Sequence, residues 1–470
     1  MKRFWLFLES YVFVWTNHEA VLLYDSLSGK GLTWNLTDPV RTIVMELIKK
    51  ENLYCMELTE NDLNVPEVAD FVSEIRRNFI GDLYSQEEFR QKPLVIVPEV
   101  SVNENLENDV ETMNNLELFG QKIVNNLRVV TMRLTGECSI NCRYCQTVDK
   151  QIVWCRKQDN RLSYNEICRL LEQLKHTPVT LINFVGGNVL SYPFLDELLN
   201  ELKKYSFGKC FYLYYKQSVD YEQIRIKLLN DPSVSIKFLI DYPVNEYAIS
   251  ACVALPNERV EYCFAVTSEE EFQEVSRIID VYKLKANIYP FYTIDNLDFF
   301  EKYVFQTLED VMALCRTKKD IFAHQLVNTH FFGTLYIDCD GKVYPNFNSK
   351  SIGTIDGYVK DWVFQEMKQG KMWHWTRDSL PACKECLYKY LCPSPSNYEL
   401  VIGKPNLCHV KPWKCYLIFI ILGWMSWQYF LFEIGKEELY EESAGVRNLI
   451  RGQICRLLYW QQEWVGVWEN

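Results

Sequence analysis

The chain lacks an excess of positive charge: 50 lysines and arginines stand against 62 aspartates and glutamates, a formal charge of −12 over 470 residues. The acidic surplus is spread along the chain rather than gathered in one tail, which works against a phosphate-tracking surface, so no nucleic-acid partner is expected. A secretory leader is lacking as well. "MKRFWLFLESYVFVW" opens with two basic residues, but Glu9 breaks the apolar run and no small-residue cleavage site follows. The expectation is a cytoplasmic, reducing setting, where cysteines act as free thiols or metal ligands rather than disulfides. An even cysteine count is also missing, and with 17 cysteines complete pairing within one chain is impossible. Long uncharged runs are scarce. One, "CYLIFIILGWMSWQYFLF" at 415–432, would reach about 27 Å as a helix, close to a hydrocarbon core of about 30 Å.

What is present is ample apolar material, 48% of residues, in a chain too long for one core, so two or three domains are expected. Residues 1–84 read as a small α+β module. "YVFVWT", "AVLLYDS" and "GLTWNLT" are short β-rich runs parted by turn chemistry, Asp38-Pro39 reads as a helix N-cap and first position, and a second helix from Pro66 to Phe79 sets Val65, Val68, Val72, Ile75 and Phe79 on one stripe. A linker is expected over 85–126, where "SVNENLENDVETMNNLE" is rich in Asn and Glu and poor in apolar residues.

Residues 127–324 alternate apolar runs ("LRVVTMRL", "TLINFVG", "CFYLYY", "SIKFLID", "VEYCFAV", "ANIYPFY") with amphipathic segments such as "YNEICRLLEQL" and "YPFLDELLNELKKY". That rhythm predicts an α/β fold with six parallel strands, curled open or closed, and chemistry on the loops after the strand C-termini. Residues 325–412 break it: "GTLYIDCDGKVYPN" reads as two strands around Asp340-Gly341, followed by clustered cysteines. The tail 413–470 holds the uncharged run. A membrane span there would leave the body cytoplasmic, since Lys411 and Lys414 precede it. A core-packed helix or an abnormal C-terminus is the preferred reading. Cys55, Cys168, Cys210, Cys252, Cys263 and Cys315 sit in apolar runs and read as small buried hydrophobes.

Cys138, Cys142 and Cys145 form C-x3-C-x2-C directly behind the first strand of the alternating region. One loop can turn three thiolates toward one point, and thiolates select zinc, copper(I) or iron–sulfur. A four-iron cluster on three cysteines leaves one iron open to an outside ligand. The alternatives are plain burial, or a zinc site completed by Cys155. Cys383, Cys386, Cys392 and Cys408, spaced C-x2-C-x5-C-x15-C, fill a site completely and suit an electron-carrying or structural metal, with zinc the alternative to iron–sulfur.

"LTGECSINCRYC" resembles the cluster motif of radical S-adenosylmethionine (SAM) enzymes. The resemblance implies a partial (βα)6 barrel and a [4Fe-4S] cluster on Cys138, Cys142 and Cys145, whose open iron chelates SAM before an electron cleaves the sulfonium to give a radical. In that family the second strand ends in a glycine pair followed by glutamate. Here "NFVGGNVL" keeps Gly186 and Gly187, but Asn188 replaces the acid, and an amide binds the SAM amino group less strongly than a carboxylate. Read without the family, the glycine pair is simply a tight turn. "FLIDYP" makes Asp241 a further candidate for a SAM or substrate contact, with a strand-end turn residue as its alternative. "GTLYIDCDGKVYPN" with the four later cysteines resembles a SPASM domain, which implies an auxiliary iron–sulfur cluster. Asn346 and Ser396 stand where further cysteines are expected, so one auxiliary cluster at most is implied.

"CPSPSNYELVIGKPNLCHVKP", "GKVYPNFN" and "VLLYDSLSGKG" together are most similar to the pseudo-radical-SAM/SPASM proteins of GG-type precursor-peptide systems, over roughly residues 10 to 412. The resemblance implies a role in maturing a ribosomally made peptide. Its partners would be the precursor and a further maturation enzyme, and the N-terminal module would pair an extended leader with a strand edge or serve as a capping subdomain. The chain keeps the three cysteines and lacks the acid, and so lies between a working enzyme and a degenerate member that binds or presents the precursor.

Overall fold

In the computed structural model of the chain, residues 2–99, 124–254, 258–404, 408 and 410–411 are described. Most of the expected linker 85–126, and the tail 413–470 with its uncharged run, lie outside the described residues. Among the described residues no helix is long and apolar enough to cross a membrane.

The N-terminal segment forms two antiparallel three-stranded sheets. In one, β1 (Arg3–Leu8) is central; in the other, β2 (Val12–Thr16), β3 (Ala20–Asp25) and β4 (Gly31–Asn35) follow in order, and β5 (Cys55–Thr59) and β6 (Gly81–Ser85) flank β1. The apolar run that resembles the start of a leader is therefore a buried strand, with Leu6 and Leu8 fully enclosed. Helices Asp38–Leu47 and Pro66–Arg77 pack Val40, Ile43, Val68, Phe71 and Ile75 into the same core.

Three local expectations are corrected. Thr37, not Asp38, is the N-cap, and Asp38 and Pro39 open the helix, an acid near the positive end of the dipole and a residue with no N–H to lose. Phe79 lies beyond the second helix, with a left-handed φ of 56° and 78% exposure, so it leaves the apolar stripe. Cys315 is exposed rather than buried, with a left-handed φ of 46°. It lies against the turn at Gly29, where an added Cβ would come within 2.7 Å of its Sγ, so only glycine leaves room for it.

The six apolar runs of the alternating region are all strands: β7 (Val129–Arg133), β8 (Leu181–Val185), β9 (Gly208–Tyr214), β10 (Val234–Ile240), β11 (Val260–Val266) and β12 (Ala286–Pro290). Each is parallel to the next in sequence, with helices Tyr164–Leu174, Leu195–Leu202, Glu222–Leu229, Glu246–Val253 and Glu269–Tyr282 as the crossovers. The helix Tyr164–Leu174 starts with a capping box, the Ser163 hydroxyl accepting from the Glu166 N–H while the Glu166 carboxylate accepts from Ser163, and it buries Ile167, Leu170, Leu171 and Leu174. Alternation splits the sheet into two faces. Met132, Phe184, Phe211 and Phe238 lie in the apolar core, whereas Thr131, Asn183, Tyr212, Lys237 and Glu261 form a buried polar face on which Asn183 donates to Thr131 at 3.1 Å and Lys237 pairs with Glu261 at 3.2 Å.

The sheet continues where the sequence rhythm breaks. After the two-residue β13 (Gln306–Thr307), β14 (Thr334–Ile337) adds parallel to β7, and β15 (Lys342–Tyr344) and β16 (Gly353–Thr354) extend it antiparallel to nine strands. The Asp340-Gly341 turn joins β14 to β15, with Gly341 at φ 81°. β17 (Val410–Lys411) pairs with β13. A separate small core joins the N-terminal sheet to the cysteine-rich segment: Phe13, Leu22 and Tyr24 pack with Leu387, Leu391 and Cys392, and the Thr33 and Tyr388 hydroxyls meet at 2.9 Å.

Candidate functional site

β7 ends at Arg133, and the chain then runs into the loop that carries Cys138, Cys142 and Cys145. The loop is held down on two sides. From β8, the backbone of Gly187 donates to the Thr135 carbonyl at 2.6 Å and that of Asn188 to the Glu137 carbonyl at 2.7 Å. The glycine pair is required for this approach, because a Cβ on Gly186 would lie 2.6 Å from the Thr135 oxygen, and one on Gly187 2.4 Å from that of Glu137. From the other side the segment Trp154–Gln158 folds back over the loop, Lys157 donating its N–H to Cys145 Sγ at 3.2 Å and Gln158 its N–H to the Gly136 carbonyl at 2.8 Å.

Cys142 and Cys145 line a cavity of about 50 Å³ together with Tyr144, Trp154, Cys155, Tyr214 and Asp241. Tyr214 donates its hydroxyl to Asp241 at 2.8 Å, and Lys216 pairs with the same carboxylate at 3.1 Å. Burial, then the Asp241 charge, pushes the Cys142 thiol up to about 11. Burial raises Cys155 well above the ordinary thiol range, and Cys142, Cys145 and Cys138 add to the rise.

Asn188 is half-buried, and its side chain is occupied locally: the amide oxygen accepts the Leu190 N–H at 3.2 Å, capping the short 3-10 turn Val189–Ser191. The acceptor on this residue that could meet an ammonium group is thus engaged with the backbone.

Beneath the loop lies a charge network without a sequence signal. Arg133, 1% exposed, pairs with Asp149 at 2.9 Å and Asp338 at 2.7 Å, and Arg156 reaches Asp149 at 3.1 Å. Burial opposes the Arg133 charge, but the two carboxylates raise its pKa, and Asp338, though itself desolvated, is lowered by Arg133. The network ties β7, the end of the cysteine loop and the β14–β15 turn into one unit. Cys339, in that turn, is buried and donates its thiol to the Gln158 side-chain oxygen at 2.9 Å.

The four later cysteines come together in the second region. Cys383 and Cys392 are buried, Cys386 and Cys408 half-buried, and each of the other three influences the titration of both Cys386 and Cys392. Burial pushes Cys392 up to about 12, opposed by the neighbouring guanidinium of Arg377. Arg377 is buried, pairs with Glu399 at 3.0 Å and lies 3.9 Å from Cys383 Sγ.

Among the described residues no three His, Cys, Asp or Glu side chains stand close enough together to hold a metal ion. A zinc ion, with bonds of about 2.3 Å, requires thiolates within about 4 Å of one another, whereas a four-iron cluster spreads its ligands further apart. The donor chemistry fits a thiolate-held cluster at the loop. N–H groups already point at sulfur there, from Lys157 to Cys145, and from Gln217 at 3.1 Å and Ile140 at 3.4 Å to Cys138. In the second region the fit rests on Arg377, a cation whose place among the thiols favours their anionic form.

No family model matches the sequence, and no curated protein does. Among solved structures, SuiB of Streptococcus suis bound to precursor peptide SuiA is similar at 13% identity over 86% of this chain and 98% of that one, with a TM-score of 0.43. SuiB bound to S-adenosylmethionine is similar at 12% identity over 86% and 98% of the two chains, with a TM-score of 0.40. The enzyme anSMEcpe with bound AdoMet is similar at 13% identity over 60% and 92%, with a TM-score of 0.42. Likenesses at these scores assign neither fold nor activity.

Proposed function

We propose that the chain is a radical-SAM/SPASM-type iron–sulfur protein that takes part in maturing a ribosomally made peptide, as a degenerate member that binds or presents the precursor. Its barrel would be partial, its catalytic-type cluster would sit on Cys138, Cys142 and Cys145, and one auxiliary cluster would sit on Cys383, Cys386, Cys392 and Cys408. The observation that carries the reading is the cysteine loop at the C-terminal end of β7, where Cys142 and Cys145 face one cavity with Tyr214 and Asp241. A cluster bound there would supply an electron and an open iron. This chain's own part is to hold the loop against Gly186 and Gly187 and to keep Asp241 anchored by Tyr214 and Lys216.

Asn188 favours the degenerate form. A bound SAM presents an ammonium, and the Asn188 oxygen already accepts from Leu190; a neutral amide would in any case bind that group about half as strongly as a carboxylate. The precursor would dock by strand addition in the N-terminal module. Among the described residues β4 pairs only with β3, which leaves an edge at Gly31–Asn35 for an extended leader.

The test is anaerobic reconstitution followed by incubation with SAM and dithionite. Cluster-loaded protein is expected to form no more 5′-deoxyadenosine than its Cys142→Ser variant, and to bind the leader of a Gly-Gly-type precursor encoded beside it. Turnover above the variant would instead select a working maturase, the second reading, which the intact trio of cysteines favours. Absence of leader binding would remove the presenting role.

A further inference from the structure

The segment that folds back over the loop carries a fourth thiol. Cys155 is 7% exposed and lines the same cavity as Cys142 and Cys145. Its neighbours on both sides are fixed to the loop's own supports: Arg156 donates its N–H to the Gly186 carbonyl at 3.2 Å, and Lys157 donates its N–H to Cys145 Sγ at 3.2 Å. Cys155 lies within electrostatic reach of all three loop thiols. Other buried cysteines differ. Cys210 and Cys263 are on β9 and β11 and Cys252 is in the helix Glu246–Val253, away from the loop.

We propose that Cys155 is the fourth cluster ligand of this site. Resting on the iron–sulfur reading above, the proposal specifies why the site is degenerate: three thiolates leave one iron open, and a fourth from the overlying segment closes it. On binding, the Cys155 thiol releases its proton to solvent and its sulfur takes the remaining iron, with no change in oxidation state. The cavity wall at Trp154–Cys155 then excludes an outside ligand where the chain also lacks an acidic residue at 188.

The test uses the full chain, reconstituted anaerobically and reduced, with Cys155→Ser and Cys155→Val compared with the unaltered protein by iron analysis, low-temperature EPR and circular dichroism. Potassium cyanide serves as the probe for an open iron. The unaltered protein is expected to give an EPR spectrum that cyanide leaves unchanged. Both variants should either keep their iron and show a cyanide-shifted spectrum, or lose about four irons per chain with an unchanged circular dichroism spectrum. A cyanide shift in the unaltered protein overturns the proposal whatever the variants do, and so do variants that keep their iron and stay unresponsive. The underlying iron–sulfur reading fails separately, if the unaltered protein holds no more iron than Cys142→Ser.

Discussion

Two groups of cysteines in one chain share a ligand chemistry and differ in access. Cys138, Cys142 and Cys145 are all half-buried, lie on a single loop at the end of a parallel strand, and face a cavity. Cys383 and Cys392 are buried, and the segment between them packs Leu387 and Leu391 under the N-terminal sheet. Each region contains a buried arginine, used differently. Arg133 lies below the loop and pairs only with carboxylates that brace it, while Arg377 stands among the thiols themselves. The difference teaches that the first region is built to hold a loop in place around a space, and the second to enclose whatever its sulfurs bind.

Removing the arginines tests this division most severely. Arg133→Met would leave Asp149 and Asp338 buried without their shared cation, and is expected to cost stability at the upper end of about 3–5 kcal/mol in denaturant titration. Arg377→Met strands one carboxylate, Glu399, and should fall at the lower end of about 3–5 kcal/mol. It should also weaken metal retention by the C-terminal cysteines while leaving the loop's share. Equal loss of metal from both regions would break the comparison.

Gly187→Ala is a smaller change confined to the first region. Its Cβ would meet backbone oxygens of Glu137 and Gly136 at 2.4 and 2.5 Å, so the loop must move, at about 1–3 kcal/mol. Iron at the loop should fall with the C-terminal share intact. The smallest effect concerns pH in the second region. His324 is buried against the Tyr390 carbonyl at 2.8 Å, and burial, then Arg316, lowers its pKa to about 3. The unfolded chain therefore binds the extra proton first as pH falls below the ordinary histidine value. Stability is full above about pH 6.5 and declines toward about pH 3, with roughly 1 kcal/mol lost between about pH 7 and 5.5. His324→Gln should flatten that slope in pH-dependent melting.

The parallel strands were legible because each is a short, nearly unbroken apolar run followed by an amphipathic helix, as in "TLINFVG" before Leu195–Leu202. β5 and β6 were not, since "CMELT" and "GDLYS" are short and carry acids, and β1 was hidden by its likeness to the start of a leader. The two cysteine groups could be read from spacing, which is local. The wedge of Gly186 and Gly187 under Thr135–Glu137, the fold-back of Trp154–Gln158 and the carboxylate pairs of Arg133 depend on contacts distant in sequence, and a buried arginine in a strand leaves no periodic signal. Asn188 was visible as a departure from a motif. Its capping bond to Leu190 emerges only from the fold.

The central claim is that both cysteine groups hold iron–sulfur clusters, and iron and acid-labile sulfide counted per chain after anaerobic reconstitution test it most directly. The account predicts about eight of each, falling to about four in Cys142→Ser and to about four in Cys386→Ser. Zinc without sulfide, or a count that neither variant changes, would contradict it.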